Sequence, residues 1–533
     1  DGVLPAAETG GGVLRDEDRE ALEQREIFLA PHGMAQFHLE IQNLYAALAQ
    51  PTERLTISYP VSDSAGAEKR PSFVIGRIAR LLPDVKVEKE DTDKGYRLSA
   101  RDAALEYAGE HIDGALWQYF EGRADAQSAL SAMRAAKACR RGRLSKNAVR
   151  ALYGDALRLS ASQMDKAREC HFAYFMRYGL RAKERTGAGF DAPQIGTFVH
   201  DVMEHTLRAA KAQGGLHALS KEQLHALVHA SIAAYTERVL PDLAEKSARF
   251  RYLFTRLCDT TERIMDEVAD ELGHSDFEPL QFELAFGPDG QLPAITVHER
   301  GGTARLIGKV DRVDGWEHGG KLYLRVVDYK TGKKTFDLAE LRYGLGLQML
   351  LYLFALEQEG GTLFGGKEIV PAGVLYTPAR EPMLRCARGT ADESIEKLRK
   401  KELRRSGMVL EDPAVLQAME HGALEAPEYL PIAVKKGGAV TGSLASEGQF
   451  AKLAKYVDHL LREIAGEIFA GNIDADPCAR TPQQPACVYC EYAGACHFEN
   501  GRGGDHVEYL RATKSDEFWH YIDEVNGEEA RTD

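Results

Sequence analysis

Two acidic motifs in the second half of the chain contain the residue types that phosphodiester hydrolysis needs. They are GKVDRVD at 308–314 and VVDYKTG at 326–332. Side chains alternate along a strand, so Asp328 and Lys330 share one face while Tyr329 points to the other. Asp311 and Asp328 offer hard oxygen ligands for Mg²⁺, and a lysine one pleat away can position an attacking water. The spacing predicts a metal-dependent phosphodiesterase site, although an isolated D-x-K tripeptide is common by chance.

Further residues accompany these motifs in a fixed order. His200 follows Gly196 in a G-x3-H pattern on a predicted helix that precedes the strands. Gln348 and Tyr352 are four residues apart, so they share one face of a helix that follows the strands. Each feature alone is typical of helix surface or core. The order G-x3-H, G-x2-D, D-Y-K, Q-x3-Y is much harder to obtain by accident.

The cysteines form a second candidate site. The chain has eight cysteines and no secretory signal, which favours thiols or metal ligands over disulfides. Cys487, Cys490 and Cys496 form C-x2-C-x5-C, a spacing at which one turn can present three thiolates to a single centre. A fourth ligand must come from elsewhere. Structural zinc and a [4Fe-4S] cluster are both open, although zinc sites usually contain two C-x2-C pairs.

The surrounding sequence predicts an αβββαβ core. Ser162 and Asp165 predict the start of a helix that contains Cys170, and long helices continue to about residue 272. Hydrophobic periodicity then predicts three strands, a helix, a fourth strand and a later helix, at 280–286, 305–313, 322–329, 338–357, 372–376 and 450–470. Upstream, the patterns predict one strand at 55–59 and helices at 16–29, 37–49, 71–82 and within 100–150.

Composition limits the class of protein. The 533 residues carry 67 Lys+Arg against 81 Asp+Glu, a net charge of −14, and 44% of them are hydrophobic. This is ordinary globular composition, so wholesale disorder is excluded, and the acidity argues against coating nucleic acid through overall charge. Basic runs within 134–150 and 397–405 leave local phosphate contact open. No apolar run is long enough to span a membrane, and we expect a cytoplasmic protein.

The order of the motifs resembles the RecB-like branch of the PD-(D/E)XK nucleases. Iron–sulfur members of that branch have one cysteine before the nuclease core and three after it in C-x2-C-x5-C, as Cys170 precedes the core here. Longer stretches, including SASQMDKARECHFAYFMRYGLRAKE and ACVYCEYAGACHF, resemble the AddB family of the bacterial AddAB helicase–nucleases. The resemblance is strong over 155–500 and weaker over RLTISYPVSDSAGAEKRPSFVIGRIARLLP, which resembles the end of that family's helicase-like part.

The resemblance implies a role for each site residue. His200, Asp311, Asp328 and the carbonyl of Tyr329 would hold the metal. Lys330 would serve the nucleophilic water. Gln348 and Tyr352 would support DNA and the site. Cys170, Cys487, Cys490 and Cys496 would bind the cluster, a pattern that has no place for Cys478. Glu283 lies in a predicted strand beside the site, where the pattern favours an ordinary surface carboxylate over a second-metal ligand; Glu204 is left undecided.

The resemblance also implies the organisation of the chain. Residues 1–150 would be the end of an inactive helicase-like domain, 151–510 a restriction-endonuclease-like nuclease domain with an iron–sulfur cluster, and 511–533 a tail. The implied cofactors are [4Fe-4S] and Mg²⁺. The implied partners are DNA and an AddA-like helicase–nuclease subunit in a heterodimer, with no membrane contact.

The alternatives are a catalytically silent DNA-guiding scaffold and a stand-alone CRISPR-associated nuclease. Acid, acid, lysine and histidine are all present, which favours catalysis over a scaffold. A stand-alone nuclease would not need the first 150 residues or the insert at 390–450. Residues 361–367 match G-x4-G-K, but Glu368 stands where a P-loop has Ser or Thr, so a nucleotide site is excluded there.

Overall fold

The computed structural model describes residues 14, 16–30, 33–62, 68–85, 87, 94–112, 114–138, 140–183, 192–288, 290–299, 301–387 and 389–529. The chain divides into two compact units, residues 1–138 and residues 139–533. None of the helices in these described ranges combines the length and apolarity that crossing a membrane requires.

The first unit is helical where it is described. Its helices are α1 Asp16–Glu23, α2 Gly33–Ala49, α3 Phe73–Leu81, α4 Lys94–Leu98, α5 Arg101–Glu110, α6 Ala115–Glu121 and α7 Gln127–Ala138. A small core contains Trp117, Phe120 and Leu130, all buried. Ser72 accepts a hydrogen bond from the backbone N–H of Val74, which confirms the predicted helix start. The predicted strand at 55–59 is wrong: these residues form no regular structure, and the described part of this unit offers no strand to pair with them.

The second unit contains the remaining elements. Its helices are α8 Lys146–Tyr153, α9 Ala161–Glu169, α10 His171–Tyr174, α11 Ala192–Ala212, α12 Lys221–Val239, α13 Ala248–Gly273, α14 Leu338–Arg342, α15 Gln348–Glu359, α16 Asp392–Glu402, α17 Pro413–Met419, α18 Glu447–Phe469, α19 Ala493–Cys496 and α20 Ser515–Glu529. Its strands are β1 Ala156–Leu159, β2 Glu278–Phe286, β3 Ile295–Glu299, β4 Gly302–Leu306, β5 Gly308–His318, β6 Lys321–Lys330, β7 Glu368–Pro378, β8 Ser406–Leu410, β9 Ile432–Val434, β10 Val440–Gly442, β11 Leu444–Ala445, β12 Cys478–Ala479 and β13 Glu508–Tyr509.

A six-stranded mixed sheet organises this unit, in the order β11-β8-β7-β6-β5-β2. Strands β2, β5 and β6 are antiparallel neighbours, and β7 joins β6 in parallel after α15 makes the crossover. The series α13, β2, β5, β6, α15, β7 is the expected αβββαβ core, so this fold prediction is confirmed. The hairpin of β3 and β4 is an insertion that pairs instead with β1.

Both faces of the central sheet are covered by helices. Residues 349–356 of α15 are buried throughout, as expected for a helix that packs between the sheet and α18. On the other face, Phe198 of α11 and Val268 of α13 belong to one apolar cluster with Val327 and Tyr329 of β6. Burial on both faces explains why the central strands read as nearly continuous apolar runs.

Glycines divide one predicted helix into two. Gly344 and Gly346 adopt φ values of +78° and +69° between α14 and α15, where the sequence predicts a continuous helix from 338 to 357. The backbone N–H of Gly346 donates to Asp165 Oδ1 at 2.8 Å, which ties this turn to α9. The predicted strand 305–313 is likewise two strands, β4 and β5, separated at Ile307.

The region around Cys170 also differs from the expectation. The predicted cap, Ser162 with Asp165, is wrong, because Ser160 and Gln163 form the capping box of α9. Cys170 does not lie mid-helix: its backbone is extended, with φ −177° and ψ 124°, between α9 and α10. Because of this break, the Cys170 side chain does not follow the helical spacing of the side chains in α9.

Candidate active site and cysteine site

The carboxylates of the acidic motifs lie on the two central strands. Arg312 of β5 lies opposite Val327 of β6, which places Asp311 and Asp328 side by side at the next position. Asp328 Oδ2 is 2.6 Å from Lys330 Nζ, so these two side chains share one face of β6. Tyr329 points to the other face, into the apolar cluster under α11 and α13. The alternation expected from the sequence therefore holds.

His200 reaches this edge of the sheet from α11. Its Nε2 lies 2.9 Å from the backbone oxygen of Tyr329, and its Nδ1 lies 3.3 Å from Asp311 Oδ1. Burial lowers the pKa of His200, but the hydrogen bond and charge of Asp311, with the charge of Asp328, raise it to about 8. Two oxygen neighbours suit a protonated imidazole, so metal binding through this ring requires loss of a proton.

Glu283 is a member of the site. One ligand atom from each of His200, Glu283 and Asp311 can be chosen such that all lie within 4.8 Å of one another. Glu283 has φ +50°, and the register of β2 shifts just before it, between Pro279 and Gln281. A bulge of this kind re-aims a side chain, which a period-two pattern cannot predict. The sequence placed Glu283 beside the site and favoured a surface carboxylate over a second-metal ligand; its side chain is only 13% exposed, and its role stays a prediction.

The electrostatics of the site suit a cation. Burial and the neighbouring charge of Asp311 raise the pKa of Asp328, against the opposing charge of Lys330. Burial likewise raises the pKa of Glu283, against its ion pair with Lys309 Nζ at 2.5 Å. Clustered carboxylates with raised pKa values bind a hard divalent ion well, because the ion removes their mutual repulsion. Glu204 stands outside this donor group and pairs with Arg208 Nε at 2.9 Å.

Gln348 and Tyr352 support the site from α15. Burial raises the pKa of the Tyr352 hydroxyl, and the nearby backbone of Lys309 and side chain of Gln348 oppose this rise. Tyr352 is only 4% exposed, so its contribution is to the position of β5. A Cβ atom at Gly308 would lie 2.2 Å from Tyr352 Oη, which explains the glycine of the G-x2-D pattern.

Four cysteines from distant parts of the chain converge on one cavity. Cys170, Cys487, Cys490 and Cys496 line a cavity of about 590 Å³, together with Cys478 of β12. Burial raises the pKa of Cys170 to about 12 and that of Cys487 to about 11. Neutral thiols that line such a cavity interact only weakly with one another. They become good ligands once a metal centre displaces their protons.

Polar contacts hold the cysteine loop against the start of the unit. Arg141 Nε lies 2.9 Å from Asp505 Oδ1, and its Nη2 donates to the backbone oxygen of Cys496 at 2.6 Å. The backbone N–H of Phe172 donates to the oxygen of Asp474 at 2.9 Å. Hydrogen bonds therefore join the beginning and the later part of the unit next to Cys170.

Several residues of the two basic runs form ion pairs within the chain. In the first run Arg141 binds Asp505, as above. In the second run, Arg399, Lys400 and Arg405 form ion pairs with the carboxylates of Glu267, Glu428 and Glu271. These pairs explain much of the positive charge of residues 397–405 without any phosphate.

The comparisons with known proteins agree with this geometry. A family model described as the PD-(D/E)XK nuclease superfamily matches residues 158–497. The chain is similar to the B subunit of the ATP-dependent helicase/deoxyribonuclease of Thermoanaerobacter sp. strain X514, with 30% identity over 560 residues, 100% of this chain and 48% of that protein. The protein of the same name from Caldanaerobacter subterraneus is 31% identical over 554 residues, 98% of this chain and 47% of that protein. The chain spans about half the length of the curated relatives it matches.

Proposed function

The chain belongs to the PD-(D/E)XK nuclease superfamily, and from that membership we propose that it is a metal-dependent DNA exonuclease. One observation carries the proposal: His200, Asp311, Asp328 and Lys330 meet at one edge of the sheet, around the backbone oxygen of Tyr329. A nuclease needs carboxylates for a divalent ion and a cationic group for the phosphate or water, and this edge contains both.

The donor set fits Mg²⁺. Asp311, Asp328 and Glu283 supply carboxylate oxygens, His200 supplies a nitrogen, and Tyr329 supplies a carbonyl oxygen. A Mg²⁺ ion bound there would polarise the scissile phosphate and lower the pKa of a bound water. Lys330 is about one-third exposed and ion-paired with Asp328, a position from which its ammonium group can orient a water and hold negative charge on the phosphate. Glu204 would hold the side chain of Arg208, whose Nη2 donates to the backbone oxygen of Phe282 at 2.6 Å and so connects the helix that carries His200 to β2.

The cysteine site fits a [4Fe-4S] cluster with a structural role. Cys170, Cys487, Cys490 and Cys496 would be its ligands, and Cys478 would remain a free thiol in the same cavity. The cysteine pattern supports this assignment over zinc, because one ligand is far upstream and only one C-x2-C pair is present, whereas zinc sites usually contain two such pairs. The cluster would join segments that are more than 300 residues apart in sequence.

The relatives suggest the biological setting. Proteins named as the B subunit of an ATP-dependent helicase/deoxyribonuclease are similar to this chain along its whole length. We therefore propose that the chain works in a heterodimer with an AddA-like helicase–nuclease partner, which processes double-strand DNA ends for recombinational repair. Residues 1–150 would be the end of an inactive helicase-like domain, 151–510 the nuclease domain, and 511–533 a tail. A silent scaffold is the weaker candidate, because each residue type that hydrolysis needs is present and grouped.

The test is cleavage of end-labelled linear DNA by the purified chain, loaded with its cluster, in Mg²⁺ and in EDTA. Asp328→Ala removes a buried oxygen ligand, and we expect cleavage to fall by orders of magnitude while DNA binding persists. Asp458→Ala is the matched control, since Asp458 is a carboxylate whose ion partner is Arg462 on α18. Substantial Mg²⁺-dependent cleavage by the Asp328 variant would overturn the assignment.

A further inference from the structure

Tyr329 is fixed at three separate points. Its backbone N–H donates to Asp311 Oδ2 at 2.8 Å, and its backbone oxygen faces His200 Nε2 at 2.9 Å. Its side chain turns away from the site, where the hydroxyl accepts a hydrogen bond from Arg312 Nη1 at 2.7 Å. The residue between the two motif positions of D-Y-K thus links the candidate ligands to the interior behind them.

Arg312 is a fully buried charge directly after Asp311. Its side chain is 0% exposed, and the guanidinium carbon lies 5.5 Å from the centroid of the Tyr329 ring. Its Nε lies 2.8 Å from Asp314 Oδ1, on the same strand. An arginine that is buried, paired and in contact with a tyrosine hydroxyl has few alternative positions, so it holds that hydroxyl rigidly.

A buried ionic network surrounds Arg312. Arg325 Nε lies 2.9 Å from Asp314 Oδ2, and Arg405 Nη2 lies 2.6 Å from Glu271 Oε2. Glu271 Oε1 lies 3.5 Å from Arg325 and 3.9 Å from Arg312. Three arginines and two carboxylates therefore lie together with side chains at most 3% exposed, contributed by α13, β5, β6 and the segment that precedes β8. Such a network tolerates little rearrangement, because any unpaired member would be a bare charge in the interior.

We propose that Arg312 is a positioning residue of the nuclease site, which fixes the backbone oxygen of Tyr329 in ligand geometry by holding the Tyr329 hydroxyl from behind. The inference rests on the proposed function, since it concerns the carbonyl that would bind the metal. It adds that the affinity for the metal depends on a side-chain contact of Tyr329 that lies away from the carbonyl oxygen that would bind the ion. Groups behind the ligands of a metal site typically contribute roughly 10- to 100-fold in affinity.

The test is Ca²⁺ and Mg²⁺ binding by calorimetry on the full chain with its cluster loaded. Tyr329→Phe removes only the hydroxyl, and we expect the Kd for either ion to rise roughly 10- to 100-fold. Tyr429→Phe is the matched control: its hydroxyl donates to Asp270, and its ring lies 4.8 Å from the Arg405 guanidinium, at the far end of the same network. We expect it to leave the Kd unchanged. In cleavage assays, Tyr329→Phe should raise the Mg²⁺ concentration for half-maximal rate, with the rate restored at saturation.

A double-mutant cycle tests whether the contact itself matters. Arg312→Lys keeps the charge but loses the planar guanidinium, and its effect on Kd should not add to that of Tyr329→Phe. Full additivity, or equal Kd values for Tyr329→Phe and Tyr429→Phe, would overturn the proposal. If Arg312→Lys does not fold, the Kd values of Tyr329→Phe and Tyr429→Phe still test whether the Tyr329 hydroxyl contributes to metal binding.

Asp328→Ala separates this proposal from the one it rests on. If that variant binds both ions as the unmodified chain does, the metal site itself is wrongly assigned. If Asp328→Ala loses ion binding but Tyr329→Phe binds the ions with an unchanged Kd, the metal site is correct and only the proposed role of Arg312 is wrong.

Discussion

The carboxylate site and the cysteine site are built in opposite ways. The carboxylates come from three neighbouring strands, β2, β5 and β6, beside His200 of α11, and donor atoms of His200, Glu283 and Asp311 already lie within 4.8 Å of one another. The cysteines come from segments more than 300 residues apart, and their sulfurs are spread around a cavity. Crowded acids oppose folding, whereas a centre that joins distant segments favours it. We therefore expect substitutions at the first site to affect chemistry and substitutions at the second to affect stability.

The largest effect is expected from Lys330→Ala. Loss of a positioned cationic group should lower the rate of DNA cleavage by roughly 10²–10⁴-fold, while the bound metal stays. The thermal midpoint of unfolding should change little, because Lys330 is partly exposed. Cleavage rates and calorimetric Mg²⁺ binding measure the two quantities. Loss of Mg²⁺ binding together with the lysine would indicate a structural ion pair instead.

Cys170→Ala should act on stability instead of chemistry. Without its thiol the remaining three cysteines could not complete a four-ligand centre, and the closure of a loop of more than 300 residues, worth about 6 kcal/mol, would be lost. Iron content, visible absorbance and protease resistance should fall together. Cys478→Ala is the control in the same cavity and should keep all three. One zinc per chain without iron, or a need for Cys478, would disprove the iron–sulfur assignment.

Gly308→Ala tests whether packing preforms the carboxylate site. The new Cβ would lie 2.2 Å from Tyr352 Oη, so we expect about 2–3 kcal/mol of destabilisation from overpacking. In a Tyr352→Ala background the loss should be smaller, because the three closest atoms, Tyr352 Oη, Cε1 and Cζ, are gone. Gly448→Ala, where no atom lies within 4 Å of the added Cβ, is the control. Chemical denaturation measures all four, and equal losses in both backgrounds would contradict the contact.

The smallest effect concerns Asp165, a carboxyl that lines the cysteine cavity. Burial raises its pKa to about 6, against the hydrogen bond from Gly346. A pKa above the unfolded value of 3.8 means that stability is greatest at low pH and is lost as pH rises through about 6. Asp165→Asn cannot ionise, so it should be more stable than the unmodified chain by about 1–2 kcal/mol at pH 8. The advantage should vanish near pH 4 in urea titrations; an equal advantage at both pH values would exclude ionisation as its cause.

The sequence predicts what depends on local periodicity. The αβββαβ order follows from it, as does the common face of Asp328 and Lys330. Glu283 was undervalued because its position depends on a register shift and a φ of +50°, which no pattern encodes. The strand expected at 55–59 has β-type residues but no described neighbour to pair with, so propensity alone was misleading. The assigned roles of the site residues and the identity of the cluster stay predictions until the experiments above are done.

Contacts between residues far apart in the chain are harder to predict from the sequence than local periodicity. Arg141 reads as one member of a basic run, and only the fold shows that it binds Asp505 and the backbone of Cys496. In the sequence Arg312 is simply the second residue of DRVD, and only the fold shows that it is buried and donates a hydrogen bond to the Tyr329 hydroxyl. Each of these partners is chosen by how elements pack, which spacing along the chain does not specify.

The hydrogen bonds that join the two ends of the nuclease unit have a consequence during translation. Phe172 pairs with Asp474, and Arg141 with Asp505. A ribosome adds about 5–20 residues per second, so the partners of these early residues are made roughly 15–70 s later. All strands of the αβββαβ core have been made by residue 378, well before these hydrogen bonds can form. A nascent chain would therefore contain the candidate active-site residues before these two contacts can form, and the proposed cluster could be completed only after Cys496 has been made.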